Sequence, residues 1–170
     1  QYFDEYKSSK DFKDLRALGI GTRTEYEEFK GSEEYTDLKA LGIATKAEYD
    51  DFHASDDYAD LKSLAIATKA AFDAFKTSGK HTICKELGIV TKQEFDDFYE
   101  SDDFNDLKGL GIATKALFDE FKGSDEYGDL KALGIATKEG YDAFKESPDY
   151  ADLRVLGIAT KAIYDEFKGT

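Results

Sequence analysis

The chain has 170 residues, enough for one domain of ordinary size, and 41% of them are hydrophobic, including 13 Phe and 11 Tyr. This apolar content is sufficient for a packed core and excludes a disordered chain of low hydrophobicity, although 35% of the residues are charged. The formal net charge of −14 disfavours binding to nucleic-acid phosphates and to anionic membrane surfaces.

The single cysteine, Cys84, excludes an intrachain disulfide and gives no indication of the compartment. No apolar run has the length of a signal-peptide core or a membrane span, so we expect no membrane insertion. The absence of Met from the sequence indicates a processed product or an excised segment. Localisation stays open, with an extracellular or cell-surface position favoured over the others.

A period of 23 residues runs through the chain without insertion or deletion. The tripeptide Leu-Gly-Ile begins at residues 18, 41, 87, 110, 133 and 156, and Leu-Ala-Ile begins at residue 64. Thr recurs at residues 22, 45, 68, 91, 114, 137 and 160, and Phe or Tyr at residues 3, 26, 49, 72, 95, 118, 141 and 164. The chain is therefore predicted to be a tandem-repeat protein.

The period divides residues 1–170 into about seven repeats. These are a partial repeat 1–21, the complete repeats 22–44, 45–67, 68–90, 91–113, 114–136 and 137–159, and a partial repeat 160–170. Each repeat is predicted to be a helix-turn-helix hairpin, and such short helices do not persist alone, so neighbouring repeats must stack. The predicted fold class is all-α, a solenoid or superhelical stack of hairpins.

The two ends of the sequence have the same composition as the interior repeats. Free-standing solenoids usually carry modified, polar terminal repeats. Two interpretations follow: the chain continues in a longer array, or its ends stack on other molecules by end-to-end self-association. We favour the first, and both can hold.

Gly42 is predicted to follow the end of a helix, and Ile43 is expected to fold back on Leu38 in a Schellman ending. Thr45 and Glu48 then predict a capping box at the start of the next helix. Each repeat therefore contains one predicted turn and, shortly after it, one predicted helix start.

The stretch Leu38-x-x-Leu41-Gly42-Ile43-x-Thr45-x-x-Glu48-Tyr49 resembles the short C-terminal (SHOCT) helical hairpin. That family also has a leucine helix, a Gly-Ile-x-Thr turn and a Glu-Phe/Tyr opening of the next helix. The resemblance covers about 15 residues of each repeat. This chain departs from the family by placing Gly directly after Leu and by repeating in tandem. The resemblance implies a small interaction or oligomerisation element without catalytic residues.

Tyr49 and Phe52 lie three positions apart and are predicted to share the core face of the first helix. Ser55 is the predicted N-cap of the second helix, with Asp56 and Asp57 in its first turn. Similar acidic pairs recur at residues 33 and 34, 102 and 103, and 125 and 126. Because the EF-hand spacing is absent, we interpret these pairs as solvated helix starts rather than Ca²⁺ ligands.

The second helix carries an apolar stripe of Tyr58, Leu61 and Leu64. Ala65 follows at the position that is Gly in the other repeats and is expected to adopt a left-handed conformation. Such a residue costs on the order of 1 kcal/mol relative to Gly. The change Ala65→Gly is therefore predicted to stabilise the protein.

The fourth repeat is the most irregular. The sequence Gly79-Lys80-His81-Thr82-Ile83-Cys84 replaces the usual order of two acids, an aromatic residue, any residue, Asp and Leu. Ile83 stands where other repeats have Asp, at residues 37, 60, 106, 129 and 152. We favour drift in a redundant array. The alternative is a contact patch of Lys80, Ile83 and Lys85 on an otherwise repulsive surface.

The remaining reactive side chains do not form a recognisable site. His53 replaces a Lys and His81 a core aromatic residue, so the two histidines occupy non-equivalent positions and predict no metal site. Cys84 stands where other repeats have Leu and is predicted to be a small buried hydrophobe. Pro148 follows Ser147 and is predicted to be the first residue of a helix.

These patterns favour a structural or scaffold protein, a segment of a fibrous or surface assembly without catalysis. The fixed period, the near-identical repeats and the acidic surface support this interpretation. The alternative is a protein-binding solenoid that uses the fourth repeat for its partner. No catalytic residues, cofactor or metal are predicted.

Overall fold

The computed structural model describes residues 2–169, and the side chains of residues 5–169. Gln1, Thr170 and the side chain of Phe3, which the period includes, lie outside this range. The described residues contain 15 α-helices and no β-strand, which confirms the predicted all-α class. The helices are α1 Tyr2–Ser8, α2 Lys10–Ala17, α3 Arg23–Lys30, α4 Glu33–Leu41, α5 Lys46–His53, α6 Asp56–Ser63, α7 Lys69–Thr77, α8 Lys80–Glu86, α9 Lys92–Tyr99, α10 Asp102–Leu110, α11 Lys115–Lys122, α12 Asp125–Leu133, α13 Lys138–Lys145, α14 Pro148–Leu156 and α15 Lys161–Lys168.

The helices are grouped into two compact units, residues 1–82 and 83–170, whose division falls within α8. In the first unit α3 packs on α4 and α5 on α6; in the second, α9 packs on α10, α11 on α12 and α13 on α14. Each unit is thus a series of hairpins that follow one another in sequence order, the packing of an α-solenoid. Among residues 2–169 no helix is both long enough and apolar enough to cross a bilayer.

Threonine begins every first helix of a repeat from α3 onward, at residues 22, 45, 68, 91, 114, 137 and 160. At Thr22 the capping box is complete, because the hydroxyl accepts from the Glu25 N–H and the Glu25 carboxylate accepts from the Thr22 N–H, both at 3.2 Å. At Thr45, where the sequence predicts a box, the hydroxyl accepts from the Glu48 N–H at 3.2 Å. The Glu48 carboxylate instead lies 3.9 Å from the Lys69 ammonium of the next repeat.

Serine separates the two helices of each hairpin and differs from the prediction in its hydrogen bond. Ser55 has the extended backbone of an N-cap, but its hydroxyl donates to the Phe52 carbonyl at 2.6 Å and makes no bond to its own helix. The same holds for the serines at residues 101, 124 and 147. The Phe52 carbonyl also accepts from the Ser55 N–H at 3.0 Å, so the hydroxyl adds a second hydrogen bond there. At Ser32, by contrast, the hydroxyl both donates to the Phe29 carbonyl and accepts from the Tyr35 N–H.

The helix ends follow the predicted Schellman pattern. Gly42 has φ 71°, the Ile43 N–H donates to the Leu38 carbonyl at 3.1 Å, and the Gly42 N–H donates to the Lys39 carbonyl at 3.2 Å. Pro148 is the first residue of its helix, also as predicted.

The core consists of the residues that the period repeats. In repeat 45–67 these are Tyr49, Phe52, Leu61, Leu64 and Ile66, each at most 7% exposed. The prediction that Tyr49 and Phe52 lie in the core is therefore confirmed, whereas Tyr58 is half-buried. Burial of one such side chain is worth about 1.5–3 kcal/mol, and it requires the neighbouring hairpin to cover the exposed face.

Candidate functional site: the contacts between repeats

In five repeats a lysine at the first position of the first helix joins that helix to the preceding repeat. The Lys69 ammonium lies 5.4 Å from the centroid of the Phe52 ring and 2.8 Å from the Asp73 carboxylate. Its hydrogen bond with Asp73 raises the pKa of Lys69. The same Lys–Phe contact, at 5.2–5.4 Å, joins residues 46 and 29, 115 and 98, 138 and 121, and 161 and 144. The contact is a cation–π interaction that recurs at a constant spacing from one repeat to the next.

A second contact centres on the aspartate of the second helix. In α4, Asp37 accepts hydrogen bonds from Tyr58 at 2.8 Å and Lys62 at 2.5 Å, both in α6, and from Tyr49 at 3.3 Å. Burial alone would raise the pKa of Asp37, but the hydrogen bonds from Lys62 and Tyr58 outweigh burial and lower it. We call this arrangement of Asp, Tyr and a basic residue the aspartate node.

The aspartate node recurs in the second unit. Asp106 accepts from Tyr127 at 2.6 Å and from Lys131 at 3.0 Å. Asp129 accepts from Tyr150 at 3.0 Å and lies 3.6 Å from the guanidinium of Arg154. The tyrosine and the basic residue always come from the second helix of the following repeat, so each node joins the second helices of consecutive repeats.

A third contact uses the acidic pairs. Asp57 lies 2.7 Å from the Lys76 ammonium, which belongs to the following repeat. Ion pairs between residues with the same separation of 19 positions along the chain join residues 11 and 30, 103 and 122, 126 and 145, and 149 and 168. The interpretation of these pairs as merely solvated is thus incomplete, because one acid in three of the four pairs contacts the next repeat. Such exposed ion pairs contribute about 0–1 kcal/mol each, so they set register more than stability.

His81 takes the place of tyrosine in the aspartate node of the fourth repeat. Its Nε2 atom lies 3.2 Å from the Asp60 carboxylate, and its ring packs edge-on against Phe72 at 5.4 Å. The side chain is buried, as predicted for a core aromatic position. The His53 ring lies 4.4 Å from the Tyr58 ring at an interplanar angle of 48°. Over the described part of the chain, no group of three or more His, Cys, Asp or Glu side chains is arranged to hold a metal ion.

The predicted contact patch lies on α8. Lys80 and Ile83 are half-buried there, and Lys85 is exposed. At about 100° per residue, Lys85 lies about 140° around the helix from Lys80, so the three side chains do not share one face.

Ile83 has a counterpart that the sequence analysis missed. Phe104 stands in the repeat after Ile83, at the position where the other aspartate nodes have tyrosine or histidine. The repeat that lacks the carboxylate is thus followed by a repeat that lacks the hydroxyl. Phe104 packs against Phe98 at 6.0 Å and Tyr99 at 4.6 Å. The sequence carries a signal for this pair, because the two repeat positions that form a node change together, to Ile83 and to Phe104.

Cys84 is fully buried, as predicted for a small hydrophobe. Its Sγ atom donates to the Ile89 carbonyl at 3.4 Å, and burial raises the pKa of the thiol. A buried thiol with a raised pKa is a poor nucleophile.

Open grooves lie between consecutive first helices. One of about 510 Å³ is lined by Phe52, Lys69 and four acids, and an equivalent groove of about 540 Å³ is lined by Phe98, Lys115 and three acids. A groove of about 810 Å³ lies between α11 and α13. Leu117 lines this groove and stands at the repeat position that Glu48 and Glu94 occupy in the other two grooves.

The geometry defines the class of protein: a tandem array of short helical hairpins, joined by cation–π contacts, aspartate nodes and ion pairs at fixed spacings. In comparisons with known proteins, no family model, no curated protein and no solved structure matches the chain. The resemblance of each hairpin to the SHOCT family therefore stays a prediction.

Proposed function

We propose that the protein is a structural or scaffold repeat protein of a fibrous or surface assembly, and that it acts through contacts between repeats rather than through catalysis. Three sets of polar contacts recur at constant spacings. An interface that is used many times within one chain is suited to extension by further repeats of the same kind.

The exposed apolar side chains of the last two helices carry this proposal. Six large hydrophobic residues are exposed among residues 5–169, and four of them lie on α14 and α15. Leu156 is 52% exposed, whereas Leu133 at the same repeat position is 4% exposed. Phe167 is 59% exposed, whereas Phe144 is 6% exposed. A further hairpin of the same kind, supplied by a continuation of the array or by a second copy of the chain, can cover this face.

The proposal is tested by measuring self-association of the purified chain. Sedimentation velocity and light scattering are expected to show concentration-dependent association, and electron microscopy distinguishes paired faces, which give closed dimers, from end-to-end contacts, which give filaments. The variant Phe167→Glu is expected to remain monomeric without a loss of melting temperature, because the ring is already exposed.

The matched control is Val90→Glu, which places the same charge at an exposed apolar position, 64% accessible, outside α14 and α15. This variant is expected to associate as the unmodified chain does. A chain that stays monomeric at every concentration, or a Phe167→Glu variant that associates unchanged, would contradict the proposal.

A further inference from the structure

The groove between α11 and α13 differs from its equivalents in having an apolar lining. Ile112 and Phe121 are buried at its base, and Ala113, Leu117 and Ala143 are exposed along it. Leu117 is 53% exposed. The equivalent grooves of the other repeats carry Glu48 and Glu94 at that position. An exposed leucine inside a concave surface is typical of a site for an apolar side chain of a partner.

The rim of the same groove is strongly acidic. Five carboxylates line it, against one ammonium, that of Lys138. The carboxylates belong to residues 120, 126, 139, 142 and 146. Lys138 is already bonded to Asp142 at 2.7 Å and lies over the Phe121 ring at 5.2 Å. The rim therefore favours a positively charged occupant.

We propose that the groove between α11 and α13 binds a cationic amphipathic segment of a protein partner, with an apolar side chain against Leu117 and Phe121 and basic side chains on the rim. A second copy of this chain is a poor occupant because no cluster of Lys or Arg in its sequence would match the acidic rim. The eight residues of α11 span about 12 Å, so the groove accommodates two to three turns of a bound helix.

Binding is tested with a fluorescent model peptide that has Leu on one helical face and Lys on the other, at about 0.15 M salt. A peptide of the same composition with its leucines dispersed controls for general attraction to an acidic protein. The amphipathic peptide is expected to bind more tightly than the dispersed one. Its chemical-shift changes are expected to fall on α11 and α13.

The decisive variant is Leu117→Glu, which introduces the residue that three other repeats carry three positions after the capping threonine. If the peptide binds with an apolar side chain against Leu117, this variant binds the amphipathic peptide at least about fivefold more weakly, although the variant is more acidic. Ala71→Glu is the matched control, because it adds the same charge at the same repeat position but lies outside this groove. Its affinity is expected to stay within about twofold of the unmodified chain.

General electrostatic attraction predicts the opposite result, a gain in affinity for both variants. Binding of the amphipathic peptide by Leu117→Glu as tightly as by the unmodified chain, or equal binding of the two peptides, would overturn the proposal. The melting temperature of each variant verifies that it is folded.

Discussion

At the scale of single residues, Ala65 stands at a backbone position that favours glycine. Its φ is 55°, and no other non-glycine residue of the described chain has a positive φ. Glycine occupies the same position after residues 18, 41, 87, 110, 133 and 156, with φ between 64° and 75°. The left-handed conformation brings Cβ close to the following carbonyl oxygen, which glycine avoids.

We therefore expect Ala65→Gly to raise the free energy of unfolding by up to about 1 kcal/mol, the left-handed strain being partly offset by the greater freedom of glycine in the unfolded chain. Thermal or urea unfolding measures the change. The reverse substitution Gly111→Ala is the control. An alanine Cβ there has no neighbour within 4 Å, so the expected loss of about 1 kcal/mol comes from the backbone alone. Unchanged stability of both variants would show that these turns relax.

At the scale of helices, the aspartate nodes determine how one second helix contacts the next. The pair Ile83 and Phe104 is an apolar version of the node that joins Asp106 to Tyr127. Its two substitutions are consistent with each other, because a carboxylate opposite a phenyl ring would lose its hydroxyl donor.

We expect Ile83→Asp alone to destabilise the protein by about 1–2 kcal/mol, because it places a half-buried carboxylate opposite Phe104. The double variant with Phe104→Tyr is expected to recover at least half of that loss by restoring the donor. A double-mutant cycle in urea measures the coupling. Additive effects of the two substitutions would show that the residues do not form a pair.

The helices were predictable from sequence because their start and stop signals are local. Thr45, Gly42 and Pro148 each satisfy or remove a backbone group close by in the chain, so their roles follow from their nearest neighbours. The bond of Ser55 was not predictable, because the same hydroxyl can serve either of two adjoining helices. The role of Asp57 was not predictable either, because its partner Lys76 belongs to the next repeat.

The groove residue Leu117 could not be assigned from sequence either. At its repeat position the chain varies among Glu, Ala, Leu, Gly and Ile, which is typical of an exposed site. Its setting depends on how closely α11 and α13 approach each other, and no local pattern reports that distance.

At the scale of the whole molecule, the carboxylates give stability a pH dependence of known sign. Hydrogen bonds from Tyr127 and Lys131 lower the pKa of Asp106, and a hydrogen bond from Lys168 lowers the pKa of Asp149. The folded state therefore binds fewer protons than the unfolded state in mildly acid solution. The stabilisation is present above the unfolded pKa of about 4 and is lost as the pH falls through the lower folded pKa.

We expect the melting temperature to fall steeply below about pH 4, and Asp106→Asn to make that fall shallower. The cost of the substitution at neutral pH is under about 1 kcal/mol, because the carboxylate is 36% exposed. Calorimetry between neutral and acid pH measures both effects. Asp102→Asn, at an exposed carboxylate, is the control. If the melting temperature falls equally steeply with decreasing pH in the unmodified chain and in both variants, the aspartate node is not the cause of the fall.

The polar side-chain contacts between repeats join residues that are 12 to 25 positions apart along the chain, little more than one repeat length at most. Contacts between hairpins therefore close only short loops, and we expect folding to be fast for a chain of this size. Removal or duplication of any whole repeat changes none of these separations. The chain can therefore vary in length by whole hairpins, through unequal recombination of its coding sequence, without requiring a new set of contacts between consecutive repeats.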